Sequence, residues 1–190
     1  MTTLQPAIFL DRDGVIIEDS HYVSSTQEVR LIPGSADAIA ALNAAGWVVV
    51  VVTNQSGVAR GMFTTETVEA VHTHIAELLA ERGAKIDAFY YCPHHTDGEV
   101  EAFRGDCACR KPKPGMLLRA AEELWLDLSR SWIVGDRPTD LQAGAAVGCQ
   151  TVLVRTGYGA EVDAGVLDRE KLKLRAVVAD LREAIGHMMG

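Results

Sequence analysis

A chain of 190 residues has the length of one ordinary domain, and 48% hydrophobic with 23% charged residues excludes a disordered composition. The net charge of −8 excludes a sequence-independent grip on nucleic acid or an anionic membrane, since both need clustered Lys and Arg. An acidic chain that binds phosphate must do so through a few local donors or a metal ion.

The opening stretch MTTLQPAIFLDRDG has neither the basic start nor the long apolar run of a signal peptide. The longest apolar run, residues 47–52, is too short to cross a bilayer. A cytoplasmic chain is expected. The first strand, AIFLD, ends on Asp11. A helix is predicted over 33–46, opened by Pro33 and Gly34 and stopped by Gly46. The β-branched run from Trp47 through Thr53 predicts a strand buried on both faces. Residues 64–83 have a capped start, helical spacing of apolar residues and a terminal Gly. A strand at 87–92 is followed by a polar, cysteine-bearing loop to 112. Then come a helix over 114–126, a strand over 131–136, a helix over 139–148 and a strand over 150–157. A short strand and helix within 175–189 close the chain. Strands alternating with helices predict parallel pairing through right-handed crossovers, hence an open α/β sheet. No linker or repeat interrupts it, so residues 1–190 are expected to form one domain.

Polar side chains follow three of the apolar runs: Asp11 and Asp13, Thr53 and Asn54, and Asp136. In open α/β sheets ligands bind beyond the carboxyl ends of the strands. A carboxylate at such a point can attack phosphorus, and a second one two residues on can serve as general acid and base. Asp11 and Asp13 stand in that relation, and Gly14 lets the backbone turn away. Asp-x-Asp-Gly also occurs in plain turns, so the rest of the set decides. Thr53 supplies a hydroxyl, and Lys111 supplies a cation near a helix start. Asp136 and Asp140 add oxygen ligands suited to magnesium. Lys113 competes with Lys111 for the cationic role. Asp140 can act through a metal-bound water or cap the helix that follows.

Cys92, Cys107 and Cys109 lie within 18 residues, and Cys92-Pro93-His94 with Cys107-Ala108-Cys109 gives three thiols and one imidazole. That is a closed tetrahedral set for structural zinc in a loop of about 92–109. A redox pair is the alternative, but it does not account for His94. His95 could replace His94, although its spacing from Cys92 is less favourable. Cys149, after a Gly in a helix-to-strand turn, reads as core.

The ordered set of Asp-x-Asp, strand-end Thr, Lys and acidic Gly-Asp motifs resembles the haloacid dehalogenase superfamily of phosphohydrolases, across residues 9–140. The resemblance implies a Rossmann-like parallel sheet with helices on both faces and no large cap domain. It implies Asp11 as nucleophile and Asp13 as general acid/base. Thr53 and Lys111 would hold the phosphoryl group, the latter because it sits between Arg110 and Pro112. Asp11, the Asp13 carbonyl and Asp136 would hold magnesium. The segments CPHH, CRKPKPGML and TNQSGVARG are similar to zinc-loop members that act on a heptose 1,7-bisphosphate and serve cell-envelope polysaccharide synthesis. By matched positions, Asp19, Ser20, His21, Tyr22, Thr53, Asn54, Gln55 and Ser56 would line the sugar site. Arg110 and Arg137 would meet anionic or hydroxyl groups, with Arg137 standing where Lys is frequent. Arg110 is the candidate for a second phosphate. Histidinol phosphate is the rival substrate, and a non-enzymatic zinc-stabilised binding module would leave the catalytic set without a use. The partner expected is a small sugar bisphosphate and the state a monomer. The anomer is not legible in the sequence.

Overall fold

The computed structural model describes residues 3–189. Its centre is one parallel sheet of β1 (Ala7–Leu10), β2 (Val48–Asn54), β3 (Ala88–Cys92), β4 (Trp132–Gly135), β5 (Gln150–Val154) and β6 (Leu174–Val178), in the order β3-β2-β1-β4-β5-β6. The helices are α1 (Ser35–Ala44), α2 (Thr65–Ala80), α3 (Gly115–Leu124), α4 (Pro138–Ala146) and α5 (Leu181–Met189). The central strands β1, β2 and β4 are apolar on both faces because helices cover both. Alternate residues of β2 divide accordingly. Val49 and Val51 pack with α1, α2 and α5, whereas Val50 and Val52 pack with α3. The result is the parallel sheet with helices on both faces that the resemblance implies, and no separate cap domain lies among the described residues. Likewise, no helix among them is long and apolar enough to cross a membrane.

Helix boundaries depart from expectation where local chemistry intervenes. Thr64 caps α2 by accepting from Thr67 N–H at 3.4 Å, and Gly83 (φ +71°) closes the turn after it. The helix predicted to reach 126 stops at Leu124, because Trp125 takes a left-handed conformation (φ 55°). This lets Leu126 N–H donate to Ala121 O at 3.0 Å and brings the Leu126 side chain into the core. Cys149 is fully buried, as expected of a core residue. The strand order reverses on either side of β1, the strand that ends at Asp11, and this switch point is where the conserved geometry of such sheets places a ligand.

Candidate active site

A cavity of about 710 Å³ opens beyond the carboxyl ends of β1, β2 and β4. Asp11 follows β1 directly and its N–H donates to Val134 O on β4 at 3.0 Å. The chain then turns tightly, with Gly14 N–H donating to Ile17 O at 2.8 Å. Gly14 has φ +77°, and a Cβ there would overlap the Asp136 carboxylate, so only glycine allows this approach.

Lys111 is buried at the centre. Its Nζ lies 3.1 Å from Asp11 Oδ1 and 2.7 Å from Asp140 Oδ1, and donates to Val52 O at 2.8 Å. Lys113 is instead exposed and pairs with Asp106. Asn54 fixes the Lys111 backbone from both sides: its amide donates to Lys111 O and its carbonyl accepts from Lys111 N, each at 3.1 Å. Asp140 also accepts from Arg137 N–H at 2.9 Å, so it caps α4 as well as pairing with the lysine.

The carboxylate of Asp13 is gripped by a buried guanidinium. Arg12 Nε donates to Asp13 Oδ2 at 3.1 Å and Arg12 Nη2 to Asp13 Oδ1 at 3.0 Å. Gln55 extends the grip, donating to Asp13 Oδ2 at 2.9 Å and to Thr53 Oγ1 at 2.8 Å while accepting from Arg12 Nη2 at 3.0 Å. Gln55 thus lines the cavity with its amide already engaged by Asp13, Thr53 and Arg12. Arg12 was not singled out in the sequence. Its signal was available only as a cation between two aspartates, a position usually solvated.

Asp11, Asp136 and Asp140 offer oxygens within 4.8 Å of one another, all buried. Burial, against the pull of Lys111 and with the push of Asp140 and Asp13, raises the Asp11 carboxyl to about 6. Burial and the neighbouring Asp11 and Asp140 raise Asp136 to about 8. Asp136 Oδ2 accepts from Tyr158 N–H at 2.8 Å, whereas its buried Oδ1 has no protein partner. An unpaired oxygen amid crowded carboxylates suits a hard divalent cation, which takes oxygen ligands and relieves the repulsion.

Protons and cation therefore compete. Cation affinity measured by titration calorimetry should fall about tenfold or more between pH 8.5 and 6.5, because Asp136 becomes neutral over this range and Asp11 begins to at its lower end. The folded carboxyls sit above their unfolded value of 3.8, so in the cation-free protein their stabilising contribution is present below about pH 4. It is lost as pH rises through about 6 and 8. A cation should consequently raise the melting temperature most at the alkaline end. Affinity flat across this range would show that these carboxylates are not ligands.

Cys92, His94, Cys107 and Cys109 also converge. The sulfur separations are 3.1–3.4 Å, and His94 Nδ1 lies 3.5 and 3.8 Å from Cys109 and Cys92. Ligands about 2.3 Å from a tetrahedral zinc stand roughly 3.8 Å apart, so this donor set fits such an ion after small adjustment. The three clustered cysteines are free thiols, and His94 joins them as a fourth donor, which a redox pair does not require. His95 turns away from the cluster toward the cavity, where its Nε2 lies 3.3 Å from Arg60 Nη2. The loop holds Arg110, whose Nη1 donates to His94 O at 3.2 Å.

Asp19, His21, Tyr22, Ser56 and Arg137 line the cavity too. Ser20 does not. His21 N–H donates to Asp19 Oδ1 at 2.7 Å, and this local turn faces its two ends inward and leaves Ser20 exposed. The sequence reading missed Arg60, Gln142, Tyr158 and Glu161, which complete the wall. The last two come from a 3-10 turn after β5 (Gly157–Ala160) and its exit, where no periodic pattern announces structure.

Known proteins carry the same pattern. A family model described as haloacid dehalogenase-like hydrolase matches residues 17–145, and an HAD-hydrolase-like model matches 108–184. D-glycero-beta-D-manno-heptose-1,7-bisphosphate 7-phosphatase of Yersinia pestis is 49% identical over 158 residues, 83% of this chain and 84% of that protein. The crystal structure of D,D-heptose 1,7-bisphosphate phosphatase from B. bronchiseptica, complexed with magnesium and phosphate, is 41% identical. It superposes with a TM-score of 0.85 over 97% of this chain and 98% of that one. The phosphatase of the same name from Burkholderia thailandensis is 34% identical with a TM-score of 0.69, over 98% and 99% of the two chains.

Proposed function

The chain belongs to the haloacid dehalogenase-like hydrolase family, and from that premise we propose that it removes the C7 phosphate of D-glycero-β-D-manno-heptose 1,7-bisphosphate. The product is the heptose 1-phosphate, a precursor for cell-envelope polysaccharide. The observation that carries the reading is the placement of Lys111 between Asp11 and Asp140 beside a buried, half-satisfied Asp136. The names of the relatives support the substrate, and that of the Yersinia pestis relative supports the β anomer.

Asp11 attacks phosphorus in line, forming an aspartyl-phosphate and breaking the bond to the C7 oxygen. Asp13 gives that oxygen its proton, then takes a proton from the water that hydrolyses the acyl phosphate. Arg12 and Gln55 hold Asp13 in place for both transfers. Lys111 and Thr53 hold the transferring group from the loop before α3 and the end of β2. Asp11, the Asp13 carbonyl and Asp136 would hold magnesium, which would supply charge neutralisation of the phosphate there. Cys92, His94, Cys107 and Cys109 would hold a structural zinc that takes no part in the chemistry and would fix the loop that delivers Arg110 and Lys111.

Arg110 lies on the zinc-loop side of the cavity, away from the nucleophile, and meets the C1 phosphate. Arg110→Ala should raise KM for the bisphosphate about 10- to 100-fold, as expected for a lost charge-assisted contact. KM for a small aryl phosphate should change far less. Equal effects on both would exclude Arg110 as the second phosphate contact. We further infer a single domain over 1–190, of which 1, 2 and 190 lie outside the described residues, acting as a cytoplasmic monomer without nucleic acid or membrane partners. The proposed reaction is tested by kcat/KM for both heptose bisphosphate anomers and for histidinol phosphate. A preference for histidinol phosphate would leave the chemistry intact and overturn the substrate.

A further inference from the structure

We propose that Tyr158 is a specificity-positioning residue that presets Arg137 and the 19–22 loop as one wall against the substrate's second phosphate. The inference rests on the bisphosphatase reading. Tyr158 contacts three residues at once. Its ring carries the Arg137 guanidinium, whose central carbon lies 3.4 Å from the ring centroid. Its hydroxyl shares a hydrogen bond with His21 Nδ1 at 2.9 Å. Its N–H donates to Asp136 Oδ2 at 2.8 Å, which ties the wall to the carboxylate cluster.

His21 is held in the left-handed region at φ 73°, an arrangement that costs free energy for a residue other than glycine. The surroundings enforce it: Asp19 accepts from His21 N–H, and the ring meets Tyr158 edge-on at 6.1 Å. Arg137 in turn lies 3.7 Å from Asp19 Oδ2. Asp19, His21, Tyr158 and Arg137 therefore form a closed ring of contacts across three loops.

The sheet order places this wall after β4 and β5, on the side of Asp11 opposite the β3 loop that carries Arg110. Two cations thus face one cavity from opposite sides. A flexible arginine loses rotamer freedom when it grips an anion, and an aromatic platform removes part of that cost before binding. An arginine stacks on such a platform better than the compact ammonium of lysine, so Arg137 and Tyr158 work as a matched pair.

The test uses the full enzyme with heptose 1,7-bisphosphate, heptose 7-phosphate and an aryl phosphate. Tyr158→Leu, which removes the ring, should raise KM for the bisphosphate about tenfold more than KM for the 7-monophosphate, with kcat falling no more than about twofold. Tyr158→Phe, which keeps the ring and drops the bond to His21, should produce a smaller shift of the same kind. Adding Tyr158→Leu to Arg137→Met should change the bisphosphate KM little further, since the first variant acts through the arginine. A wild-type preference for the bisphosphate that survives Tyr158→Leu would overturn the inference alone. So would a kcat loss equal for all three substrates, which would mark Tyr158 as a mere support for Asp136. No preference in the wild-type enzyme would overturn the bisphosphatase reading and the inference with it.

Discussion

Asp11→Asn should abolish phosphate release, by about 10⁴-fold or more, in a protein that still folds. The amide has nearly the shape of the carboxylate, so the bond from Arg12 N–H to Oδ1, 2.7 Å in the native chain, can survive. It has neither the charge nor the lone-pair basicity to attack phosphorus, and it is a poor ligand for a hard cation. Lys111 keeps Asp140 and Val52 O as partners, so no buried charge is stranded. Circular dichroism should therefore show a cooperative melt near that of the native chain, while a phosphate-release assay reads only background. Residual turnover within about 100-fold of the native enzyme would move the nucleophilic role away from Asp11.

Removing the metal from the cysteine loop should lower the melting temperature by about 10 °C or more and reduce kcat/KM about 100-fold. Structural zinc contributes about 10–16 kcal/mol of binding free energy in small sites, as much as the whole stability of a typical domain. Of this loop, Phe103 and the cysteines join the apolar clusters, and backbone bonds to Gln55 and Ala59 tether its first half. The effect reaches the active site because Cys109 immediately precedes Arg110 and Lys111, and Gly115 N–H donates to Ala108 O at 2.9 Å where α3 begins. Metal analysis should find one zinc per chain, and Cys109→Ser should reproduce the chelated state. A chelated protein with unchanged melting temperature and KM would mean that backbone contacts alone hold the loop.

The strands were legible because burial on both faces leaves unbroken β-branched runs, as in residues 48–53. The chemistry at their ends was legible because Asp11, Thr53 and Asp136 interrupt those runs with side chains useful for phosphate. His94 could be separated from His95 only by spacing, and the structure shows the two rings facing opposite ways. Three-dimensional pairing stayed hidden. Nothing in the order of residues says that Arg12 turns inward onto Asp13, or that Gln55 spends its amide on Asp13 and Thr53. Tyr158 lies in an aperiodic stretch and reaches Arg137 and His21 only because β1, β4 and β5 bring three loops to one end of the sheet.

The most direct measurement is to follow phosphate release and the appearance of a reducing sugar together, with the β-anomer of heptose 1,7-bisphosphate and magnesium. Loss of the C7 phosphate leaves the anomeric carbon blocked, so the account predicts one equivalent of phosphate and no reducing sugar. Reducing sugar formed in step with phosphate would mean cleavage at C1 and would contradict it.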